Sequence, residues 1–157
     1  LEHPSQISRS TKVSDIMYTQ VPTVDLGTPI LDVVKELLES PLHRLIVVDQ
    51  QNKVKGIIGS SDLIDAVSGQ DRAGIMETLR AQILRDERSI EHIRKIRART
   101  AEDIMNREVV CVSADANVHN AAELMVRQRK KILPVVDSSE KLVGVIARDE
   151  ILSSLSI

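Results

Sequence analysis

The apolar positions near the start of the chain change spacing in a regular order. A short β-branched run at residues 21–24 is followed by Thr28 and Pro29, a pair typical of a helix start. Apolar residues then recur at helical spacing until Ser40-Pro41, where the predicted amphipathic helix ends. The apolar residues at this spacing are Ile30, Val33, Val34, Leu37 and Leu38.

Two apolar runs and a second helix follow this first helix. Residues 45–48 are continuously apolar and predict a strand, residues 49–53 form a polar turn, and residues 54–58 predict another strand. Ser60-Ser61-Asp62 then caps a further helix, with an acid in the first turn where the helix dipole favours it. The predicted order of elements is therefore β-α-β-β-α.

The same series of elements occurs twice. Asp15-Ile16-Met17 returns as Asp103-Ile104-Met105, so the offset from Met17 to Met105 is 88 residues. The same offset relates Val47-Val48-Asp49 to Val135-Val136-Asp137, Lys53 to Lys141, Gly56 to Gly144 and Ile58 to Ile146. In the second copy the predicted elements lie at residues 109–112, 118–126, 133–136, 142–146 and 149–155.

Each copy is too small to be stable by itself, because a sheet of this size needs a second apolar layer. We therefore expect an α+β fold with α/β-type layers, in which the two β-α-β-β-α repeats pack as a pseudo-two-fold pair. Clefts between the repeats would lie at strand ends and helix N-termini, where backbone N–H groups favour anions. The predicted boundaries are an extension at 1–12, a first repeat at 13–68, an insert at 69–99 and a second repeat at 100–157.

The insert between the copies has its own pattern. Apolar residues recur at intervals of three, four and seven positions after Gly69 and Gly74, which predicts a helix of about 20 residues. From Arg72 to Arg99 there are eight basic and four acidic residues, a local charge of +4. A linker helix packed on the pair explains this pattern. The alternatives are a dimerisation or partner-docking helix, a nucleic-acid contact, or contact with an anionic membrane surface.

Composition excludes several classes of protein. The chain has 157 residues, of which 42% are hydrophobic and 28% charged, with a net charge of -2, so no overall attraction to nucleic acid is expected. No apolar run approaches the roughly 20 residues that cross a bilayer. Tyr18 is the single aromatic residue, which removes the stacking platforms of single-stranded nucleic-acid binders.

The single cysteine and the first residues bear on location and origin. Cys111 has no partner for an internal disulfide, which is typical of a reducing compartment and favours a cytoplasmic location. The chain starts at Leu1 without a basic, apolar leader, so we expect the edge of a piece of a larger parent protein and no secretory signal.

Motifs of catalysis and metal binding are absent from the sequence. The four histidines are scattered without paired-ligand spacing, and there is no G-x-S-x-G, Walker or G-x-G-x-x-G motif. We therefore predict that the protein is not an enzyme and holds no metal.

The repeated motifs resemble a tandem of cystathionine β-synthase (CBS) domains, known as a CBS pair or Bateman module. The resemblance covers residues 13–68 and 100–157 and omits the insert. It rests on the two Asp-Ile-Met triplets, on Leu133-Pro134-Val135-Val136-Asp137, on Gly56-Ile57-Ile58-Gly59-Ser60-Ser61-Asp62 and on Gly144-Val145-Ile146-Ala147-Arg148-Asp149-Glu150.

The resemblance implies a regulatory module without chemistry of its own. CBS pairs commonly bind AMP, ADP, ATP or S-adenosylmethionine in clefts between the repeats, and no cofactor is required. They pass the occupancy of the cleft to a fused or partner effector, and they often form flat homodimers. The family places a ribose-binding acid six residues after the glycine, which here gives Asp62 and Glu150. A carboxylate accepts hydrogen bonds from both ribose hydroxyls, although Asp62 also suits a helix N-terminus without any ligand.

Phosphate and base contacts follow from the same resemblance. The candidate phosphate-binding residues are His43, Arg44, Ser60, Ser61, Lys130, Lys131 and Arg148. The candidate base-binding residues are Thr23, Val24 and Ile46 in the first repeat and Cys111, Val112 and Pro134 in the second. The basic residues also suit a solvated cluster that guards an aggregation-prone strand, and the base-binding set is equally suited to the core.

Two departures from the family pattern keep a second hypothesis open. Gly59 and Ala147 stand where the family often has a hydroxyl, and Glu150 replaces the usual aspartate. These residues favour a dimerisation or interaction scaffold with empty, degenerate clefts. Such a scaffold would be a piece of a larger transporter or transcription regulator.

Overall fold

The computed structural model describes residues 11–68 and 99–155. The predicted helix of the insert falls in residues 69–98 and so lies outside the described residues. Within the described ranges, the two copies have the same order of elements and each contains one three-stranded sheet. The prediction of an α+β fold built from two repeats is confirmed.

The first repeat begins with a short helix that the sequence pattern did not predict. Its elements are α1 (Val13–Ile16), β1 (Thr23–Asp25), α2 (Ile30–Glu39), β2 (Arg44–Val48), β3 (Val54–Gly59) and α3 (Ser60–Ser68). The elements of the second repeat are α4 (Ala101–Ile104), β4 (Val112–Ser113), α5 (Val118–Gln128), β5 (Ile132–Val136), β6 (Leu142–Ala147) and α6 (Arg148–Leu155).

The two sheets have matching strand orders, β1-β2-β3 and β4-β5-β6. The first two strands of each sheet are parallel, with Thr23 opposite Ile46 in one and Val112 opposite Val135 in the other. A helix connects them because parallel neighbours need a long crossover. In the second sheet β5 and β6 are antiparallel, with Leu133 opposite Ile146.

The chain divides into two compact units that do not coincide with the sequence repeats. Among the described residues, one unit comprises 11–21, 51–54 and 109–155, and the other comprises 22–50, 55–68 and 99–108. Thus α4 lies in the unit of the first sheet, where Ala101, Ile104 and Met105 join its core. In the same way, Val13 of α1 is buried in the core of the second sheet.

The aspartate of each Asp-Ile-Met triplet stabilises the start of the short helix in which it lies. The backbone N–H of Lys12 donates to Asp15 Oδ2 at 2.9 Å, and the N–H of Thr100 donates to Asp103 Oδ2 at 2.8 Å. Each carboxylate thereby satisfies an N–H at the start of a four-residue helix that has too few backbone hydrogen bonds to be stable alone.

The methionine of each triplet packs on a glycine of the sheet in the same compact unit. A Cβ at Gly144 would lie 2.6 Å from the Met17 sulfur, and a Cβ at Gly56 would lie 2.5 Å from the Met105 sulfur. Backbone bridges continue these contacts, because Tyr18 pairs with Val145 and Asn106 with Ile57. The repeated triplets and glycines are therefore parts of one contact that occurs once in each unit.

Two local predictions were wrong in detail. Thr28 does not cap α2, because Pro29 is the residue before the helix and the Thr28 hydroxyl accepts a hydrogen bond from Asp25 N instead. The first strand of the second repeat is only Val112–Ser113, shorter and later than residues 109–112.

Candidate functional site

The first candidate site lies where β3 passes directly into α3. Asp62 is in the first turn of this helix, and its Oδ2 accepts a hydrogen bond of 2.7 Å from Gly59 N. The carboxylate is half-buried, whereas Ser60 and Ser61 in the same turn are exposed. The sequence thus places an oriented acid at a helix N-terminus, and one hydrogen bond leaves most of its acceptor capacity for other donors.

The Arg44 side chain lies close to the same glycine. A Cβ at Gly59 would lie 3.2 Å from Arg44 Cδ and 3.2 Å from Arg44 Nε. The guanidinium is further held by a hydrogen bond of 2.9 Å from its Nη1 to the His43 carbonyl oxygen. His43 is in the left-handed region with φ 54. Gly59 is therefore a contact shared by the candidate acid and the candidate phosphate-binding cation.

The base-binding candidates of the first repeat lie near Arg44 on the sheet. Thr23 is exposed and pairs with Ile46, whose N–H donates to the Pro22 carbonyl at 3.0 Å. Ile46 is buried, and Val24 is part of the hydrophobic core beneath the sheet. Thr23 and Arg44 thus begin two parallel neighbouring strands, and Ile46 lies in the middle of the second one.

The second candidate site differs in chemistry at equivalent positions. Ile132 stands in place of Arg44 and pairs with Ala147, the residue equivalent to Gly59. Glu150 is half-buried in the first turn of α6. No basic side chain occupies the position of Arg44 in this repeat.

The predicted basic residues of the second repeat lie together. Arg148 N donates to the Lys131 carbonyl at 2.9 Å, and Lys130 N donates to the Met125 carbonyl at 2.9 Å. Lys130, Lys131 and Arg148 line a groove of about 500 Å³ between α5 and α6. Glu150, Cys111, Val112 and Pro134 are not among its lining residues.

The groove also contains residues that the sequence analysis did not single out. Its remaining lining residues are Ala122, Met125, Val126, Arg129, Ile151 and Leu152. Val126 is the last residue of the helix predicted at 118–126, and 80% of its surface is exposed. The sequence signal that could have predicted this groove is a set of basic residues at the ends of two helices. Arg129, Lys130 and Lys131 follow α5, and Arg148 begins α6.

Cys111 and Pro134 occupy ordinary structural environments. Burial raises the pKa of the half-buried Cys111 thiol, and the nearby negative charge of Glu140 raises it further. Pro134 is buried in β5 opposite Val145. Within residues 11–68 and 99–155, no three His, Cys, Asp or Glu side chains are grouped so as to hold a metal ion.

The search for membrane-spanning helices covered the same described residues. None of the helices there combines the length and apolar character needed to cross a bilayer.

Comparison with known proteins gives the same family for both repeats. The CBS domain model matches residues 13–69 and 101–157. An uncharacterised 17.7 kDa protein of Acidianus ambivalens is 28% identical over 146 residues, covering 93% of this chain and 74% of the relative.

Solved structures of CBS domains have the same fold. The CBS domain of a membrane protein from Sphaerobacter thermophilus is 26% identical with a TM-score of 0.72, and the match covers 95% of this chain and 90% of that one. The CBS domain pair of protein MJ0100, in complex with 5-methylthioadenosine and S-adenosyl-L-methionine, is 25% identical with a TM-score of 0.65, covering 90% and 97%. The two repeats, their sheets and their motifs agree with these matches, and the chain belongs to the CBS domain family.

Proposed function

We propose that this CBS pair is a regulatory, non-catalytic module that senses an adenosine nucleotide or a related adenosyl ligand. The observation that carries the proposal is that both charged groups lie at Gly59, whose N–H donates to Asp62 Oδ2 and where a Cβ would lie 3.2 Å from Arg44 Nε. An acid for ribose hydroxyls and a cation for phosphate are the two charged groups that such a ligand requires.

Known CBS proteins support the class of ligand. The similar pair of MJ0100 was crystallised with 5-methylthioadenosine and S-adenosyl-L-methionine. Two further structures of the same fold contain AMP in CBSX2 and ATP in the cytosolic domain of the Mg²⁺ channel MgtE. AMP, ADP, ATP and S-adenosylmethionine are therefore the ligands that we propose for this chain.

The first repeat is the better candidate for a nucleotide with phosphates. In it, Asp62 would accept hydrogen bonds from the ribose and Arg44 would bind phosphate, with Thr23 and Ile46 beside the base. His43, Ser60 and Ser61 would supply further polar contacts, and Val24 a buried part of the wall. In the second repeat the corresponding proposed contacts are Glu150, Lys130, Lys131, Arg148, Cys111, Val112 and Pro134.

We further propose that the chain forms a homodimer and controls a fused or partner effector. A similar sequence makes up 25% of an inosine-5'-monophosphate dehydrogenase of Methanocaldococcus jannaschii, to which the chain is 25% identical. Control of such an effector and a cytoplasmic location, favoured by the free Cys111, are proposals for this chain. We propose that the two ligand-binding repeats span residues 13–68 and 100–157.

A dimerisation or interaction scaffold is the second candidate function. Exposed Leu38 and Val126, with 53% and 80% of their surfaces accessible, favour it because large apolar side chains at equivalent positions suggest a protein contact. Sensor and scaffold differ in whether an adenosyl ligand binds at all.

Thermal unfolding with AMP, ADP, ATP, S-adenosylmethionine and NADH tests the sensor. A ligand at about 100 times its Kd should stabilise the protein by roughly 2.7 kcal/mol. Asp62→Asn should weaken binding of the ligand by about tenfold or more, because a hydrogen bond to a charged acceptor contributes about 1.5–3 kcal/mol. Asp32→Asn, on the exposed surface of α2, is the matched control and should bind as tightly as the unaltered protein.

The outcomes separate the two candidate functions. Glu150→Gln should have a smaller effect than Asp62→Asn on binding of a nucleotide with phosphates. If no ligand of this panel raises the midpoint of unfolding, the sensor proposal is wrong and the scaffold is favoured. Binding that is unchanged in Asp62→Asn would contradict the ribose contact alone.

A further inference from the structure

Ser40 is a buried polar residue that directly follows α2. Only 4% of its surface is exposed, and within the described ranges it is the single polar residue that is buried. A buried hydroxyl costs free energy unless it forms hydrogen bonds. The partners of the Ser40 hydroxyl therefore show which part of the chain it holds in place.

The partners of Ser40 all lie in the turn that leads to β2. Its Oγ donates to the Arg44 carbonyl oxygen at 2.7 Å and accepts from Leu42 N at 3.3 Å. The Ser40 carbonyl oxygen accepts from His43 N at 3.2 Å. His43 has φ 54, a left-handed conformation that a residue other than glycine keeps where surrounding contacts hold it. These three hydrogen bonds therefore close the turn and fix the backbone of Arg44.

Gly59 provides the space for the side chain of Arg44. A Cβ at Gly59 would lie 3.2 Å from Arg44 Cδ, 3.2 Å from its Nε and 3.4 Å from its Cζ. Even a methyl group at this position would therefore push the guanidinium away. The backbone does not require a glycine, because no glycine that the structure describes has a positive φ. The contact with Arg44 is thus the physical reason for the missing side chain.

The second repeat forms the same fold without this arrangement. Helix α5 continues through the exposed Gln128, at the position that Ser40 has in the first repeat. The residues equivalent to Ser40, Arg44 and Gly59 are Gln128, Ile132 and Ala147. Since the sheet and both helices form in the second repeat with these residues, the fold does not depend on the buried serine or on the glycine. The arrangement is therefore a property of the first candidate site.

We propose that Ser40 and Gly59 fix the Arg44 guanidinium and thereby make the first repeat selective for adenosyl ligands that carry a phosphate. Ser40 is a positioning residue, since it acts through the backbone of Arg44, and Gly59 leaves room for the side chain. The inference rests on the proposed function, in which Asp62 binds ribose and Arg44 binds phosphate. It adds the two residues that determine the choice between a nucleotide and an uncharged nucleoside.

Fixing the guanidinium affects the phosphate contact and not the rest of the ligand. Arginine binds phosphate through parallel N–H donors, so the strength of the contact depends on how its planar group is oriented. A side chain that is already held in place loses less conformational entropy when the ligand binds. Adenosine has no phosphate and gains nothing from this orientation. Loss of the Ser40 hydrogen bonds should therefore weaken binding of AMP and leave binding of adenosine unchanged.

Calorimetric titration with AMP and with adenosine tests the inference. All proteins carry Glu150→Ala, which removes the ribose contact proposed for the second repeat, and the quantity compared is the Kd for adenosine divided by the Kd for AMP. Arg44→Met should lower this ratio by about 10- to 100-fold, because it removes a charged hydrogen-bond donor. Ser40→Ala should lower it by about 2- to 10-fold, the effect of one neutral hydrogen bond. Gly59→Ala should lower it in the same direction, since its Cβ displaces Arg44.

Matched controls separate positioning from a general loss of structure. Ser113→Ala removes a hydroxyl that accepts a backbone hydrogen bond from Asp115 N in the second sheet's unit, and Gly27→Ala adds a Cβ with nothing within 4 Å. Both should leave the ratio unchanged. In an Arg44→Met background, Ser40→Ala should have no further effect on the ratio, because the group that it positions is absent. A general weakening of the fold would instead weaken AMP and adenosine equally.

Different results would overturn the inference and the proposed function. A ratio that falls in Arg44→Met but not in Ser40→Ala or Gly59→Ala contradicts only the positioning. If Ser40→Ala does not fold, Gly59→Ala decides, because its added methyl group meets only the flexible end of Arg44. A ratio that is unchanged in Arg44→Met contradicts the phosphate contact, and the inference with it. If neither AMP nor adenosine binds to the unaltered protein, the sensor itself is wrong and so is this inference.

Discussion

The environment of Cys111 should make the stability of the protein depend on pH. Its thiol is half-buried, and burial raises its pKa above the ordinary value of 9.0, with a further increase from the negative charge of Glu140. The folded protein therefore holds the thiol proton more tightly than the unfolded chain does. The contribution of this group to the free energy of unfolding is complete below about pH 9 and decreases as the pH rises above that value.

The pH dependence of stability checks this environment. We expect the unaltered protein to lose more stability than Cys111→Ser between about pH 8 and about pH 10 in urea unfolding, because only the native thiol resists ionisation. Reaction of the folded protein with a thiol-specific disulfide reagent at neutral pH should be slow, since the thiolate is the nucleophile. Equal losses of stability in the two proteins would show that Cys111 is not buried as described.

The contact between the segment of the short helix α4 and the strand β3 depends on two residues of the repeated motifs, Met105 and Gly56. Gly56 is buried in β3, and Met105, which follows α4, lies over it with its side chain. A methyl group at Gly56 would meet not only the flexible sulfur but also Met105 Cβ at 2.9 Å. Since Cβ cannot move without the backbone of the short helix, the two elements are fitted to each other.

We expect Gly56→Ala to destabilise the protein by about 1–3 kcal/mol, the usual cost of overpacking. Gly27→Ala is the matched control, because nothing lies within 4 Å of a Cβ at Gly27, and its free energy of unfolding should be unchanged or increase by up to about 1 kcal/mol. Equilibrium unfolding in urea measures both variants. A neutral Gly56→Ala would show that α4 is not seated on β3.

Long apolar patterns predicted which segments are helices and strands, but they did not predict the residues at which these elements begin and end. The crossover helix α2 and the strand β2 follow directly from apolar spacing. Thr28 has the right chemistry for a cap, but its hydroxyl accepts from Asp25 N in the preceding turn. The four-residue helices α1 and α4 were missed because they are shorter than two turns and have no periodicity to detect.

In the whole molecule, two segments belong to the compact unit of the other repeat and not to the unit of their own. The segment 11–21 precedes the first sheet in sequence, yet it belongs to the compact unit of the second sheet, and 99–108 belongs to the unit of the first. Each repeat therefore completes a core with residues from the beginning of the other. A single repeat cut out at 13–68 would lack Ala101 and Ile104 of its unit's core.

Protein concentration should change the stability of the whole molecule if the proposed dimer forms. Only the native state associates, so each tenfold increase in concentration should add about 1.4 kcal/mol per dimer to the free energy of unfolding. Thermal unfolding from about 1 to about 100 µM measures this increase. Val126→Asp, which places a charge at an exposed apolar position proposed for protein contact, should unfold at a midpoint independent of concentration. A constant midpoint in the unaltered protein would contradict association.

Local periodicity and motifs at a fixed offset were enough to predict the repeat, the order β-α-β-β-α within each copy and the positions of the candidate acids. The packed structure was needed to show that Arg44 and Asp62 both lie at Gly59, and that Lys130, Lys131 and Arg148 line one groove with Val126 and Leu152. Residues far apart in the chain have no periodic signal that relates them. Apolar residues of an amphipathic helix look alike in sequence, whether packing covers them or leaves them at the surface.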